Sequence, residues 1–410
     1  MSHPRVTVIV VSRHRPRDLD LCLKALRQLF FRNFEIVVVC DRASASVVDP
    51  EPGIRTVVFE EENISKARNI GAAHSAGDIL AFIDDDAVAE PTWLSHLIPP
   101  FDDDRVGASG GFVIGRNGFS VQWAALSVDT AGWTHPIRLD GSSVEKMLWD
   151  GGQRAIRTQG TNMAVRRSVL AELGGFDPAF VFYHDESDLN MRIAKAGWLT
   201  ALVPKARVNH KSSSSSRRKP NRVPKSLLDV GASSAVFHRK YLSPGDWAQA
   251  REDLINSERR RLEYMLIDGR TEPKMFETLI KSLHDGYTEG LERVSGEPQK
   301  IGESTEVFEP ISNTPETHEI IVSRFLPRRA ARKRAKAIAA SGAVVSLIIL
   351  DPTARFHRVR FTQDGYWEQM GGIFGRSVRT HPIVQFSTFR SRSEAEVQRC
   401  SQFRNPNATM

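Results

Sequence analysis

Cysteine is scarce: in 410 residues only Cys22, Cys40 and Cys400 carry thiols, with no Cys-x-x-Cys pair and no metal-ligand spacing. That excludes a disulfide scaffold and a zinc ribbon, and it fits unpaired thiols in a reducing compartment. Long apolar runs are missing too. The longest in the second half, residues 335–350, is interrupted by Lys336, Ser341 and Ser346 and falls short of the roughly 20 residues that span a bilayer. Residues 1–4 lead at once into the apolar run 6–11, without the charged, apolar and small-residue parts of a secretory leader in order. Neither a leader nor a transmembrane segment is expected. No internal repeat occurs, so a solenoid or propeller is excluded.

What is present is ordinary in bulk and uneven in detail. An apolar content of 40% allows a large core, and the length allows two or three domains. The formal charge of +7 is concentrated in residues 211–225 and 324–336, which suits anionic partners such as phosphates or lipid head groups, or a solvated surface. Residues 6–11, 35–40, 54–59 and 79–83 are short apolar runs. Between them, residues 18–29 place Leu19, Leu23 and Leu26 on one side, and residues 64–75 follow Asn63 as a cap. This is the pattern of parallel strands buried on both faces and joined by amphipathic helices.

The fourth run ends in Asp84-Asp85-Asp86. Three adjacent carboxylates repel one another, so a cation is expected to neutralise them, and hard oxygen ligands suit Mg²⁺ or Mn²⁺. The triplet stands at the carboxyl end of a strand in an open α/β sheet, where ligands bind. In an extended strand Asp84 and Asp86 point to one side and Asp85 to the other.

Downstream, residues 91–98 read as a helix and 106–114 as a strand. The turn Gly160-Thr161-Asn162 precedes a strand at 163–165 and a helix at 167–173. The cluster Asp185-Glu186-Ser187-Asp188 leads into a helix over 189–196 that Gly197 stops. Strands are expected at 200–203 and 207–210, before a low-complexity loop, residues 212–219, that should be mobile. Helices are expected at 227–241, 246–267 and 273–291. A last α/β segment has strands at 319–323, 344–350 and 359–361 and a basic helix at 328–340.

Residues 6–11, Phe34-Glu35-Ile36-Val37-Val38-Val39-Cys40-Asp41, Ser65-Lys66-Ala67-Arg68-Asn69-Ile70-Gly71, the run from Gly77 to Asp86, and the acidic cluster before Leu189 and Arg192 stand in one order. That order resembles family 2 glycosyltransferases, over roughly residues 5–241. The resemblance implies a GT-A fold, that is, an α/β Rossmann-like sheet binding a nucleotide-sugar, and transfer of the sugar with inversion. Residues 1–223 would form this domain, 224–295 a helical extension, 296–317 a linker and 318–410 a basic α/β tail.

The same resemblance assigns roles. Asp86 is implied as direct ligand of Mn²⁺ or Mg²⁺, with Asp84 or Asp85 toward the ribose or a metal-bound water and His210 reaching the metal or diphosphate. Asp41 and Arg68 would lie at the nucleotide, although Arg42-Ala43-Ser44 after Asp41 departs from the family and leaves the base open. Gly160, Thr161 and Asn162 would border the acceptor. Aligning Asp188-Leu189 with the family's Asp-Leu puts Glu186 at the base position, with Asp185 as second candidate. Such a base takes the proton of the acceptor hydroxyl, in a transition state with oxocarbenium character. Lys211, Arg217 and Arg218 are candidates for phosphate contacts. The absence of Gln-x-x-Arg-Trp favours one sugar per encounter.

Two rival enzymes fit less well. A nucleotidyltransferase would show a glycine-rich basic loop after the first strand, where Ser12-Arg13-His14-Arg15-Pro16 has no glycine. A phosphohydrolase would end that strand in aspartate, which Val10-Val11-Ser12 does not. A catalytically silent scaffold is the alternative from another class. The partners implied are a nucleotide-diphosphate sugar and a sugar or lipid-linked acceptor, on the cytoplasmic side. The basic helix would either rest on an anionic membrane or cover a small α/β module. Nucleic acid is not expected, because no aromatics interleave the basic run.

Overall fold

The computed structural model describes residues 4–139, 144–147, 152–211, 213, 217–296, 301–302, 304–312 and 314–409. Strands β1 (Val6–Ser12), β2 (Phe34–Cys40), β3 (Ile54–Val58) and β4 (Ile79–Asp84) alternate with helices α1 (Pro16–Leu26), α2 (Arg42–Ala45) and α3 (Ile64–Ala73). Helix α1 starts on Pro16, whose missing N–H would have no helical partner anyway. Helix α3 starts under Asn63, whose side chain accepts from the Lys66 amide at 3.0 Å. β1 pairs in parallel with β2 and with β4, and β2 with β3. Covered on both faces, β1, β2 and β4 bury Val6, Val8, Ile36, Val38, Ile79 and Ala81 on one side and Ile9, Val37, Val39, Leu80 and Phe82 on the other, which accounts for their continuous apolar runs.

The middle of the chain adds β5 (Ala87–Ala89), α4 (Trp93–Leu97), β6 (Val106–Ile114), β7 (Val121–Trp123), β8 (Leu126–Asp129), β9 (Thr134–Pro136), β10 (Glu145–Met147), β11 (Arg154–Arg157) and β12 (Met163–Arg166). Helices α5 (Arg167–Glu172) and α6 (Asp185–Lys195) precede β13 (Leu199–His210). The main sheet runs β10-β13-β6-β12-β4-β1-β2-β3, with β12 antiparallel to both β4 and β6. The two strands expected at 200–203 and 207–210 are one, irregular between Val203 and Arg207, where a bulge bends the chain. Its end pairs antiparallel with β5, so that His210 stands opposite Ala87, the residue after the acidic triplet. A separate small sheet, β11-β8-β9, escaped the sequence reading because its strands are three or four residues long. Of the serine run, residues 212 and 214–216 lie outside the described residues.

The expected helices follow as α7 (Leu228–Tyr241), α8 (Trp247–Ile267) and α9 (Pro273–Glu292). α7 and α9 cross in close contact. A Cβ on Gly286 would stand 2.0 Å from the Leu228 carbonyl oxygen, and one on Gly290 2.2 Å from that of Ala232. The extension is one wall of the first unit rather than an appendage. Tyr241 donates to Asp188 at 2.8 Å, Lys240 pairs with Asp177 and Asp188, and Phe237 stacks on His184. Segment 296–317, read from the sequence as a linker, is described only in part (residues 297–300, 303 and 313 are outside). Its described part is packed: Ile301 and Ile311 are buried, and the Ile311 amide donates to Phe34 O at 2.8 Å. It straps the first unit.

The remaining elements are β14 (His318–Arg324), α10 (Arg328–Ala340), β15 (Val344–Asp351), β16 (Arg358–Phe361), β17 (Trp367–Gly372) and α11 (Phe389–Arg404). They form a sheet of order β14-β15-β17-β16. α10 packs on one face against Val345, Leu347 and Ile349, and α11 on the other against Ile348 and Leu350. The basic helix therefore covers a module: Arg332 pairs with Glu368 and Lys336 with Asp364. Strand β17 and helix α11 were not foreseen. Among the described residues no helix is long and apolar enough to cross a membrane.

This module is joined to the first unit by apolar and ionic contacts. Val344, Val359, Phe361 and Trp367 pack on Leu21, Ala25 and Val88. Beside them Arg404 donates to both oxygens of Glu90, at 2.7 and 3.0 Å, with both side chains buried. Removing one partner of a buried ion pair strands the other's charge. Arg404→Ala is expected to lower stability by about 3–5 kcal/mol, read as a fall in the urea midpoint. An unchanged midpoint would show that water reaches Glu90.

Candidate active site

Strand β4 ends at Asp84, and Asp85 and Asp86 form the turn into β5 rather than the extended continuation expected from the sequence. Asp85 is fully buried and turned inward, accepting from Ser12 Oγ at 2.6 Å and pairing with Arg15 at 2.5 Å. Burial pushes its pKa up to about 8 against the pull of Arg15. Asp86 faces the other way. Its Oδ1 lies 3.1 Å from His210 Nε2, and its Oδ2 accepts from the Ser213 amide at 2.9 Å and from Arg15 at 3.1 Å. Burial works against its ionisation, yet His210, Arg15 and that amide hold its pKa well below the usual carboxylate range. Asp84, Asp86 and His210 each offer a ligand atom within 4.8 Å of the others. Two carboxylate oxygens and an imidazole nitrogen are a donor set that fits Mn²⁺ or Mg²⁺.

These residues border a cavity of about 240 Å³, whose lining includes the apolar Val11, Val39, Phe59, Ile64 and Ala67 and the cationic Arg15, Arg217 and Arg218. Arg217 lies over the Phe182 ring at 4.4 Å and pairs with Glu62 and Asp229. Lys211 turns away and pairs with Asp18 at 2.7 Å. Asp41 is buried beside the cavity without lining it; it accepts from the His14 amide at 2.8 Å. Burial opposes its charge, but its hydrogen bonds outweigh that and keep its pKa low. Asp41 thus fixes the loop that carries Arg15. Arg15 and Ser213 were missed as site residues, although Arg15 stands in the basic loop after β1.

Arg68 joins this corner to the second acidic cluster. Its buried guanidinium lies 3.5 Å from Asp84, pairs with Asp185 and sits over the Phe176 ring at 5.3 Å. Gly160 makes the room: a Cβ there would be 2.2 Å from Arg68 Nη2. The neighbouring Asn162 is fully buried. It donates to the carbonyls of Phe112 and Ala206, both at 3.0 Å, and accepts from Trp93 Nε1 at 2.8 Å. Asn162 thereby ties β6, β13 and α4 together, while Thr161 is buried in the same turn.

Asp185 and Glu186 open α6 after two non-glycine residues in the left-handed region, Tyr183 at φ 76° and His184 at φ 65°. Such backbone is strained and is held by its surroundings. Here the His184 ring lies 4.8 Å from Phe237, and burial pushes its pKa down to about 3, so it is neutral. Burial also raises Asp185, more than Arg68 lowers it, whereas at Glu186 the opposing pull of Arg157, 2.9 Å away, together with the Asp185 hydrogen bond and Arg68, exceeds the effect of burial and keeps its pKa low. Within the pair, Asp185 is thus the acid shifted toward its neutral form and Glu186 the one shifted toward its charged form, near the positive end of α6. Asp188 is otherwise engaged: Arg192, Lys240 and Tyr241 occupy its oxygens, pinning α6 to α7. Arg157 and His184 carried no signal in the sequence, since their partners are remote or formed by backbone geometry.

The family described as Glycosyltransferase like family 2 matches residues 3–222. The chain belongs to this family. Its GT-A fold, expected from the motifs, is the mixed sheet described above. Among relatives of this glycosyltransferase-like chain, the O-antigen biosynthesis protein RfbC of Myxococcus xanthus is 26% identical over 59% of this chain and 20% of its own length. The glucosyl-dolichyl phosphate glucuronosyltransferase of Haloferax volcanii is 28% identical over 50% of this chain and 68% of its own. This chain therefore spans a fifth of the first and about two thirds of the second. The solved mannosyltransferase PcManGT of Pyrobaculum calidifontis, in complex with GDP-Man and Mn²⁺, aligns at 16% identity over 71% of this chain and 88% of that one, with a TM-score of 0.44.

The metal corner yields a test independent of turnover. His210→Ala removes one of the three atoms that could hold an ion and, if the corner holds Mn²⁺, should weaken its binding by roughly tenfold or more, since even outer partners of a metal site carry about 10- to 100-fold. Isothermal titration with Mn²⁺ alone reads this. Equal affinity in the variant would remove His210 from the ligand set.

Proposed function

We propose that the protein is a metal-dependent inverting glycosyltransferase, moving one sugar from a nucleotide-diphosphate sugar to a hydroxyl acceptor. The observation that carries this reading is Arg68, which links Asp84 at the metal corner to Asp185 at the acidic pair. Donor and acceptor chemistry would meet across one guanidinium. A Mn²⁺ or Mg²⁺ held by Asp84, Asp86 and His210 would supply positive charge against the leaving diphosphate. Arg15, Arg217 and Arg218 would take phosphate oxygens, and the apolar wall with Val39 and Phe59 would hold the base.

In this reading Glu186 accepts the proton of the acceptor hydroxyl as it attacks the anomeric carbon opposite the leaving group. Arg157 keeps Glu186 ionised for that task. Asp185, protonated and tied to Arg68, orients the pair. Transfer of one sugar per encounter agrees with the absence of Gln-x-x-Arg-Trp. The names of the Myxococcus and Haloferax relatives, an O-antigen biosynthesis protein and a glucosyl-dolichyl phosphate glucuronosyltransferase, support a polysaccharide or lipid-linked acceptor. Retention of both carboxylate clusters weighs against a silent scaffold.

Two variants separate the halves. Asp86→Ala should abolish both Mn²⁺-dependent nucleotide binding and transfer; Glu186→Gln should abolish transfer alone. Full transfer by either one sinks the role assigned to it. Arg157→Gln removes the cation that lowers the pKa of Glu186, so that pKa rises. The acid limb of the kcat/KM profile should then move upward by about 1–3 pH units, the usual effect of an adjacent opposite charge. An unmoved limb would place the base elsewhere.

A further inference from the structure

Between the first unit and the C-terminal module lies a second cleft, of about 580 Å³, within the ~300–1,000 Å³ range of small-molecule sites. Its floor is apolar: Leu21, Val88, Val359 and Phe361. Its rim is cationic, with Arg116, Lys211, Arg332 and Arg360, against one lining carboxylate, Asp364, which Lys336 neutralises at 2.7 Å.

The charges on the rim do not cancel. Arg332 and Arg360 both bind the one carboxylate of Glu368, which is itself 1% exposed, while Arg360 remains 67% exposed. Two guanidiniums thus share one negative charge. Arg116 is exposed and pairs with no carboxylate among the described residues. Lys211 is the one rim cation with a full partner, Asp18. The surplus faces a cavity whose floor accepts carbon. Planar forks with free donors match phosphate oxygens.

We propose that this cleft is a binding site for a phosphate-bearing ligand, its anionic group held by Arg116 and Arg360 and its apolar part lying on Leu21, Val88 and Phe361. The site is separate from the proposed donor cavity, because residues of the C-terminal module, beyond the family match, complete it. His210 is a wall common to both cavities. The Lys211 amide donates to Asp86 O at 2.9 Å, so a ligand on the rim is one residue from the metal corner.

The ligand's phosphate has two possible sources, a free diphosphate or a prenyl diphosphate, and titration distinguishes them. The full chain is titrated calorimetrically in EDTA with pyrophosphate and with geranyl diphosphate, which silences metal-dependent binding at the first cavity. Saturable binding of either is expected; tighter binding of the geranyl compound assigns the floor to a lipid, equal binding to free diphosphate. Arg116→Ala and Arg360→Ala should each weaken binding by about tenfold or more, the size of a lost charge-assisted hydrogen bond. Arg116→Ala breaks no pairing, and Arg360→Ala leaves Glu368 with Arg332, so both variants should fold. Mn²⁺-dependent nucleotide binding should be unchanged in them, which keeps the outcome apart from the donor reading. No saturable binding, or equal affinity in both variants, overturns the site.

Discussion

A buried guanidinium cannot stand alone, and much of this molecule is arranged around the one at Arg68. Taking an arginine out of water costs several kcal/mol unless its charge is matched and its donors are used. Arg68 meets the carboxyl groups of Asp84 and Asp185 and lies over the Phe176 ring. Meeting those needs brings the end of β4 and the start of α6 within reach of one side chain. The same demand explains a glycine at 160, where any Cβ would occupy the guanidinium's space.

Around that pairing the other charged groups form a graded set. Asp85 and Asp185 are buried so deeply that they tend to hold protons, while Asp86 and Glu186, beside His210 and Arg157, are held ionised. Each cluster therefore pairs an acid shifted toward its neutral form with a neighbour shifted toward its charged form, while Asp84 turns to Arg68 and Asp188 to Arg192 and Lys240. The division follows from where the turn after β4 and the first turn of α6 aim each carboxylate, since adjacent residues there point in different directions.

The first unit does not end where its family match ends. Helix α7 supplies Phe237 against His184 and Tyr241 and Lys240 against Asp188, and Ile301 and Ile311 each join one of two cores. The C-terminal module is seated by Arg404 on Glu90, which also accepts from Asn209 next to His210. Elements remote in sequence thus hold the segments that carry the acidic groups.

The sequence by itself determined the β1–β4 alternation, the long helices and the two acidic clusters, because apolar periodicity and adjacent carboxylates are local properties. It also marked Arg68, Gly160 and His210 as positions of interest. Only the tertiary structure decided that Gly160 serves Arg68, that Asn162 and Asp188 are held by internal partners, and that Asp41 supports the loop of Arg15. Arg157, Ser213 and the seat of the C-terminal module were likewise hidden. Their meaning lies in pairings across tens to hundreds of residues, such as Glu90 with Arg404, and in the two left-handed residues before α6. Hydrogen bonds and ion pairs act over a few ångströms, so their partners are chosen by the folded chain and not by neighbours in sequence.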